Sequence, residues 1–380
     1  MAEIIIPRRN RQRPALAEFL PGIDFRVGVA DFFGSDFIFD HVTSFSRARE
    51  WNDSASKWIA STQASEAPIF VWAEGTALRW YSEERTVFLN ADASKMFQQF
   101  MGMASFSFDG ISAAHATNMS EFFRQCSALT TIEIPGKINL YNATDISGMF
   151  KACAALQGFD TSVFLTSTAL LYMSELFSGC SSLASAKIAG NFAGVKAMTN
   201  LFQDCTSLVS FDFHGALFGN VEYGANSMFY GCTALEYADL DAAGLALETG
   251  SEDWLFRGCT SLKRVKLHTH AVPANSYGNM MFEGCTSLIV ADLSGLVAAP
   301  GGSIYCGGRM FDGCGNLSVI YASTDFSTQT HAEGTYMFRG CTSLVGGAGT
   351  AFDPNHTDGE YARIDNRPTR PGYFTYKART

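Results

Sequence analysis

From residue 96 to residue 344 the apolar positions fall into one repeated phrase. Its anchor is a cysteine, at Cys126, Cys153, Cys180, Cys205, Cys232, Cys259, Cys285, Cys314 and Cys341, with gaps of 27, 27, 25, 27, 27, 26, 29 and 27 residues. Phe stands three residues before each of them, from Phe123 to Phe338, and Leu three residues after, from Leu129 to Leu344. Met96-Phe97-Gln98-Gln99-Phe100 fits the phrase with Phe100 in the cysteine position. Self-similarity at such a period marks stacked repeats, in which no unit buries its apolar face alone and neighbours share one core.

Two periodicities lie inside each unit. Met228, Phe229, Cys232 and Leu235 are spaced i, i+1, i+4, i+7, which predicts one face of a short helix or helical turn. Six and eight residues after the cysteine come paired apolar positions, such as Ile132/Ile134, Phe211/Phe213 and Val265/Leu267, and this period of two predicts a short strand with one buried face. The expected fold is an α/β repeat solenoid: a leucine-rich-repeat-like array of about ten units of short strands and helical turns over residues 96–344, with β-rich caps.

The caps follow from the need to cover the exposed ends of the stack. Residues 67–95 read as a hairpin cap, with strands Ile69–Trp72 and Leu78–Tyr81 about a turn at Glu74-Gly75, and a further strand at Val87–Leu89. Residues 345–380, ending in an aromatic strand, read as the C-terminal cap. Residues 1–66 are not repeat-like. They read either as a disordered basic tail followed by a small capping element or as an arm or docking segment with Arg8, Arg9, Arg11 and Arg13 as assembly residues, and they hold an aromatic-rich stretch at Asp31–Phe39 and a helix around Ser46–Ser61.

The phrase M-F-x-G-C-x-S-L, as in MFYGCTAL, LFRGCTSL and MFEGCTSL, resembles the BspA-like leucine-rich repeat proteins of bacteria. The lead-in around Trp80-Tyr81-Ser82 and Val87–Asp92 is similar too, as is the tail through Tyr361–Asp365 and Pro371–Thr375. The resemblance covers residues 67–380 and implies surface-exposed proteins with adhesive or host-interaction roles; it implies neither an enzymatic activity nor a defined ligand.

Composition narrows the picture. Hydrophobic residues make up 47% and charged residues 17%, enough for a core and contrary to global disorder. The net charge of −10 argues against nucleic acid as a partner. No apolar run approaches the roughly 18 residues of a membrane span, and Ile4-Ile5-Ile6 stops at Pro7, so neither membrane insertion nor a secretory leader is expected. The nine ladder cysteines, with no CxxC pair, read as small buried hydrophobes and not as metal ligands, and ten free thiols point to folding in a reducing compartment. Cys306, off the ladder, is the one candidate for a partly exposed thiol. Asp353–Gly359 superficially matches a calcium loop but lacks the acidic residue at the twelfth position. No cofactor and no catalytic group is expected.

If the positions six and eight after the cysteine are buried, those seven and nine after it face solvent. They line up as polar ladders, and Asp212, His214, Asp239, Asp241, Lys266 and His268 form the candidate ligand-binding cluster. The plainer reading of the same cluster is a solvated face of alternating charge. The expected function is a non-enzymatic binding or adhesion module that presents an extended surface to a protein or glycan on a cell surface. The alternative is a structural or receptor-recognition component of a phage or injection particle, held by residues 1–66 in a larger homo- or hetero-assembly. Either destination is extracellular, on a bacterial surface or a released particle.

Overall fold

In the computed structural model the described residues are 15–35, 37–219, 221, 224–240, 253–267, 270–272, 278–298, 307–326 and 334–378. Arg8, Arg9, Arg11, Arg13, Asp241, His268 and Cys306 lie outside them.

Strands of two to five residues stack along one side. Four precede the cysteine units: β1 (Ser44–Arg47), β2 (Trp58–Ile59), β3 (Phe70–Glu74) and β4 (Ala77–Tyr81). The units add β5 (Ser105–Ser107), β6 (Thr131–Glu133), β7 (Gly158–Asp160), β8 (Ser185–Lys187), β9 (Ser210–Asp212), β10 (Tyr237–Asp239), β11 (Arg264–Lys266), β12 (Val290–Asp292) and β13 (Val319–Ala322). The tail supplies β14 (Phe374–Tyr376). They form three sheets, β2-β3-β4-β1-β5-β6, β7-β8-β9 and β10-β11-β12-β13-β14. Pairing between successive units is parallel, because each turn of the coil brings the chain back in the same direction. Further parallel pairs, such as Ile138–Leu140 with Phe164–Thr166 and Gly190–Phe192 with Ala216–Phe218, lace the same units together.

The helical turn expected at each Phe-x-x-Cys is absent. The residues five and one before each cysteine have left-handed backbone, for example Glu121 (φ 57) and Gln125 (φ 63), or Ser227 (φ 56) and Gly231 (φ 72). Right- and left-handed residues in alternation cannot carry a run of i to i−4 hydrogen bonds. The N–H groups instead point sideways into the next unit: Ala93, Lys95, Phe97 and Gln99 donate to the carbonyls of Asn118, Ser120, Phe122 and Arg124 at 2.9, 3.0, 2.9 and 2.8 Å. The molecule is therefore a leucine-rich-repeat-like β-solenoid with little helix.

Its one α-helix among the described residues is α1 (Gly22–Phe33). The helix expected around Ser46–Ser61 is replaced by β1, a turn and β2. Ser44-Phe45-Ser46-Arg47 alternates outward and inward, and β1 lies parallel between β4 and β5, so its backbone groups are satisfied by two neighbours. The expected hairpin is present, with β3 and β4 antiparallel from Phe70↔Tyr81 to Glu74↔Ala77.

Two columns run through the core. The phenylalanines stack nearly parallel through the array: Phe150 on Phe177 (5.5 Å between centroids, 6°), Phe177 on Phe202 (5.7 Å, 5°), Phe229 on Phe256 (5.2 Å, 3°) and Phe256 on Phe282 (5.7 Å, 4°). Beside them run the nine ladder cysteines, all buried and free. Each thiol donates to the carbonyl of the Phe in the preceding unit, as in Cys153 to Phe123 (3.1 Å) and Cys285 to Phe256 (3.0 Å). Burial in this apolar column raises all nine thiol pKa values, those of Cys180 and Cys341 to about 12.

Both ends of the stack are closed by tilted or edge-on rings. Phe25 of α1 and Phe45 of β1 meet Phe97 at 55° and 60°, and Tyr373 meets Phe338 at 81°. The sideways hydrogen-bond ladder is capped as well. At its carbonyl end Gly22 N–H donates to Asp92 O (2.8 Å) and the Arg26 guanidinium to Gln98 O (2.8 Å). Glycine is required at 22, since a Cβ there would lie 2.1 Å from Ser94 O. At its N–H end Tyr336 donates to the Asp358 carboxylate (2.7 Å) and Phe338 to Thr357 O (2.8 Å). A cation at the carbonyl end and a carboxylate at the N–H end match the polarity of aligned peptide dipoles.

Candidate ligand-binding face

The outward residues of β7, β8 and β9 are set by register. Gly158, Ser185 and Ser210 are Cα partners in one row, and Asp160, Lys187 and Asp212 in another. Small side chains in the first row and long charged ones in the second leave an open trough of about 450 Å³ across the three strands. Lys187 Nζ lies 3.4 Å from Asp160 Oδ2. The Asp160 carboxyl sits below its usual pKa: partial burial works the other way but is outweighed by the Ser162 N–H, the Ser162 hydroxyl and Lys187. Asp212 is also held low, chiefly by the His214 N–H at 2.8 Å, and its Oδ1 meets His214 Nδ1 at 2.7 Å. Two ionised carboxylates thus flank one ammonium on an exposed face.

The same outer face continues toward the N-terminal end. Ser44, Ser105 and Thr131 share a row across β1, β5 and β6. There a second open groove, about 500 Å³, is lined by Ser46, Arg47, Arg49, Arg79, Asp109 and Glu133, among others. Arg47 is fixed by the carbonyls of Arg85 (2.7 Å) and Glu84 (2.9 Å).

Of the six residues expected to cluster, Asp212 and His214 touch within one turn, and Asp239 and Lys266 are Cα partners on β10 and β11. The break between β9 and β10 separates the two pairs into different sheets. Tyr237 Oη donates to Asp239 Oδ2 at 3.0 Å. Asp241 and His268 lie outside the described residues. The expectation that every position seven or nine after a cysteine faces solvent fails at Asp292, Ser294 and Ala189, which are buried. Lys377, arriving from β14, pairs with the Asp292 carboxylate and covers it, and Ser294 donates its hydroxyl to the same group at 2.6 Å. Asp160 and Lys187 lie on the ladder traced from the sequence but were not among the candidate residues; the low bulk of Gly158, Ser185 and Ser210 beside them is the signal that finds them. Nothing local in the sequence points to the Arg47–Arg79 groove, which depends on β1 inserting between distant strands. Among the described residues no three His, Cys, Asp or Glu side chains are grouped to hold a metal ion, and no helix is long and apolar enough to cross a membrane.

Fold and face together define a leucine-rich-repeat solenoid. Residues 225–345 match the model of the BspA type leucine rich repeat region (6 copies), and the repeats of this chain are of that type. The model described as Mycoplasma protein of unknown function, DUF285, matches residues 91–214 and 117–243. No curated protein matches. Similar solved structures include a leucine-rich repeat protein from Bacteroides ovatus, 17% identical, covering 63% of this chain and 83% of that one with a TM-score of 0.20. An internalin from Listeria monocytogenes is 12% identical over 64% of this chain and 74% of that one, with a TM-score of 0.23. TLR13 in a complex with ssRNA13 is 14% identical over 66% of this chain and 36% of that one, with a TM-score of 0.25. Scores this low reflect no shared global superposition, and the assignment rests on the repeat motif.

Proposed function

We propose that the chain is a non-enzymatic binding module that presents the outer strand face to a protein or glycan outside the cell, as an adhesin does. The observation that carries this reading is the trough over β7, β8 and β9, where a floor of Gly158, Ser185 and Ser210 lies beside the Asp160–Lys187–Asp212 row. Solenoids recognise partners through extended faces of this kind. The mixed charges and small hydroxyl residues suit a polar partner that exchanges hydrogen bonds with several units at once. Asp239 and Lys266 extend the same ladder beyond the sheet break. No observation favours the particle-component alternative.

The test is a screen of the full chain against arrayed glycans and arrayed extracellular proteins, followed by Asp160→Ala, Lys187→Ala and Asp212→Ala with the best binder. Each substitution is expected to weaken binding a few-fold and the triple variant to lose about 2–3 kcal/mol, since an extended face distributes its energy. A binder that the folded triple variant holds unchanged overturns this placement of the site.

A further inference from the structure

On the turn side, away from the strand face, the last four cysteine units carry a different surface. The residues five and two before each cysteine are Trp254 and Arg257, Met280 and Glu283, Arg309 and Asp312, and Tyr336 and Arg339. The sideways ladder fixes their stacking: Trp254, Met280 and Arg309 each donate their N–H to the unit that follows. The charges form one continuous network. Glu283 lies between Arg257 (2.7 Å) and Arg309 (2.6 Å), and Asp312 between Arg309 (2.9 Å) and Arg339.

The network is layered. The carboxylate side chains of Glu283 and Asp312 are only 12% and 8% exposed, whereas the guanidinium side chains of Arg257, Arg309 and Arg339 are 36%, 38% and 50% exposed. Three cations over two submerged anions make the outer layer positive in a chain whose net charge is −10. Each guanidinium carries five N–H donors, more than these contacts consume. Trp254 (41% exposed) and Tyr336 (47% exposed) flank the row, and Arg339 stacks on Tyr336 at 4.8 Å. Exposed Trp, Tyr and Arg in one patch is the composition of an interface centre, not of an ordinary solvated surface.

We propose that this patch docks an acidic polypeptide segment. Carboxylate is the group the arginines already clamp between neighbouring turns, and Arg339 holds Asp312 through both Nε and Nη2, a bidentate guanidinium–carboxylate pair. The patch spans four units, about 14 Å at the spacing of parallel strands, which fits a short segment. A long polyanion would meet the acidic remainder of the chain and be repelled.

The probe is an octaglutamate peptide, titrated against the full chain by peptide anisotropy and by intrinsic tryptophan fluorescence, with octaglutamine and an eight-nucleotide oligothymidylate as comparators. The expected result is binding of octaglutamate that weakens with added salt, no binding of octaglutamine, and about a tenfold loss in the Arg257→Gln/Arg339→Gln variant. Trp254→Phe should remove the fluorescence change and leave the anisotropy change. Hydrogen exchange on the unsubstituted chain gives a readout independent of any variant, with protection by octaglutamate expected at residues 253–258 and 334–340. Absence of octaglutamate binding, protection elsewhere, or tighter binding of the oligonucleotide overturns the proposal.

Discussion

The thiol of Cys259 donates to the carbonyl oxygen of Phe229, one unit earlier, at 3.1 Å. That oxygen already accepts the N–H of Cys232 at 3.1 Å, so the thiol takes its second lone pair. A cysteine at this position is at once a small apolar filler and a donor that ties two turns together. Cys259→Ala removes both, and the expected loss is about 1–3 kcal/mol, read from the urea midpoint of the purified chain.

The buried thiols also make the fold sensitive to base. Their folded pKa values lie above the value of about 8.5 for a free cysteine, so the stabilisation is complete below that pH and is lost as pH rises toward about 12, the value for Cys180 and Cys341. Thermal melts from pH 7 to pH 11 should show a falling midpoint above about pH 9. In the same window the ladder thiols should remain closed to iodoacetamide until the chain unfolds, as peptide mass spectrometry after labelling would reveal.

Ala152 has φ 60 in a turn where the sequence pattern predicts helix. In a helical turn Ala152→Gly would destabilise by up to about 1 kcal/mol. In the left-handed conformation it relieves a Cβ clash and should stabilise by up to about 1 kcal/mol. The sign of the shift in a denaturant melt decides between the two geometries.

The strand rows were legible in the sequence because a period of two has one structural meaning: Val265 and Leu267 are buried, as are Ala291 and Leu293. The spacing of Met228, Phe229, Cys232 and Leu235 has two meanings. A helical face and an alternating-handed turn bury the same residues, and only the glycines one before the cysteine distinguish them. Gly179, Gly231, Gly258, Gly284, Gly313 and Gly340 give that hint, but Gln125, Ala152 and Asp204 hold the same left-handed backbone and hide it. The expected exposure of the ladder fails at Asp292 because the cause is remote: Lys377, 85 residues away, covers it. For the same reason β1, placed between β4 and β5, had no local signature.

Asp365 organises the C-terminal segment. Its carboxylate accepts from Ala348 N (2.8 Å), Thr350 N (2.9 Å) and Thr350 Oγ1 (2.7 Å). Burial pushes its pKa up, but these donors outweigh it and hold the group below the usual aspartate range. The stabilisation is therefore present above the unfolded value of about 3.9 and lost as pH falls through the lower folded value. Asp365→Asn should cost about 1–3 kcal/mol and speed hydrogen exchange at residues 346–350 while leaving the central units protected. Unchanged exchange there would remove this residue from the cap.

Every unit hands its turn N–H groups forward and receives its neighbour's on its carbonyls, from Asp92 at one end to Phe338 at the other. The stack is thus a vector, and its two ends are unlike: one is plugged by Arg26, the other by Asp358. A unit appended outside either plug would find no complementary rail, whereas a unit duplicated in the interior finds acceptors on one side and donors on the other. Length in such an array is gained from within.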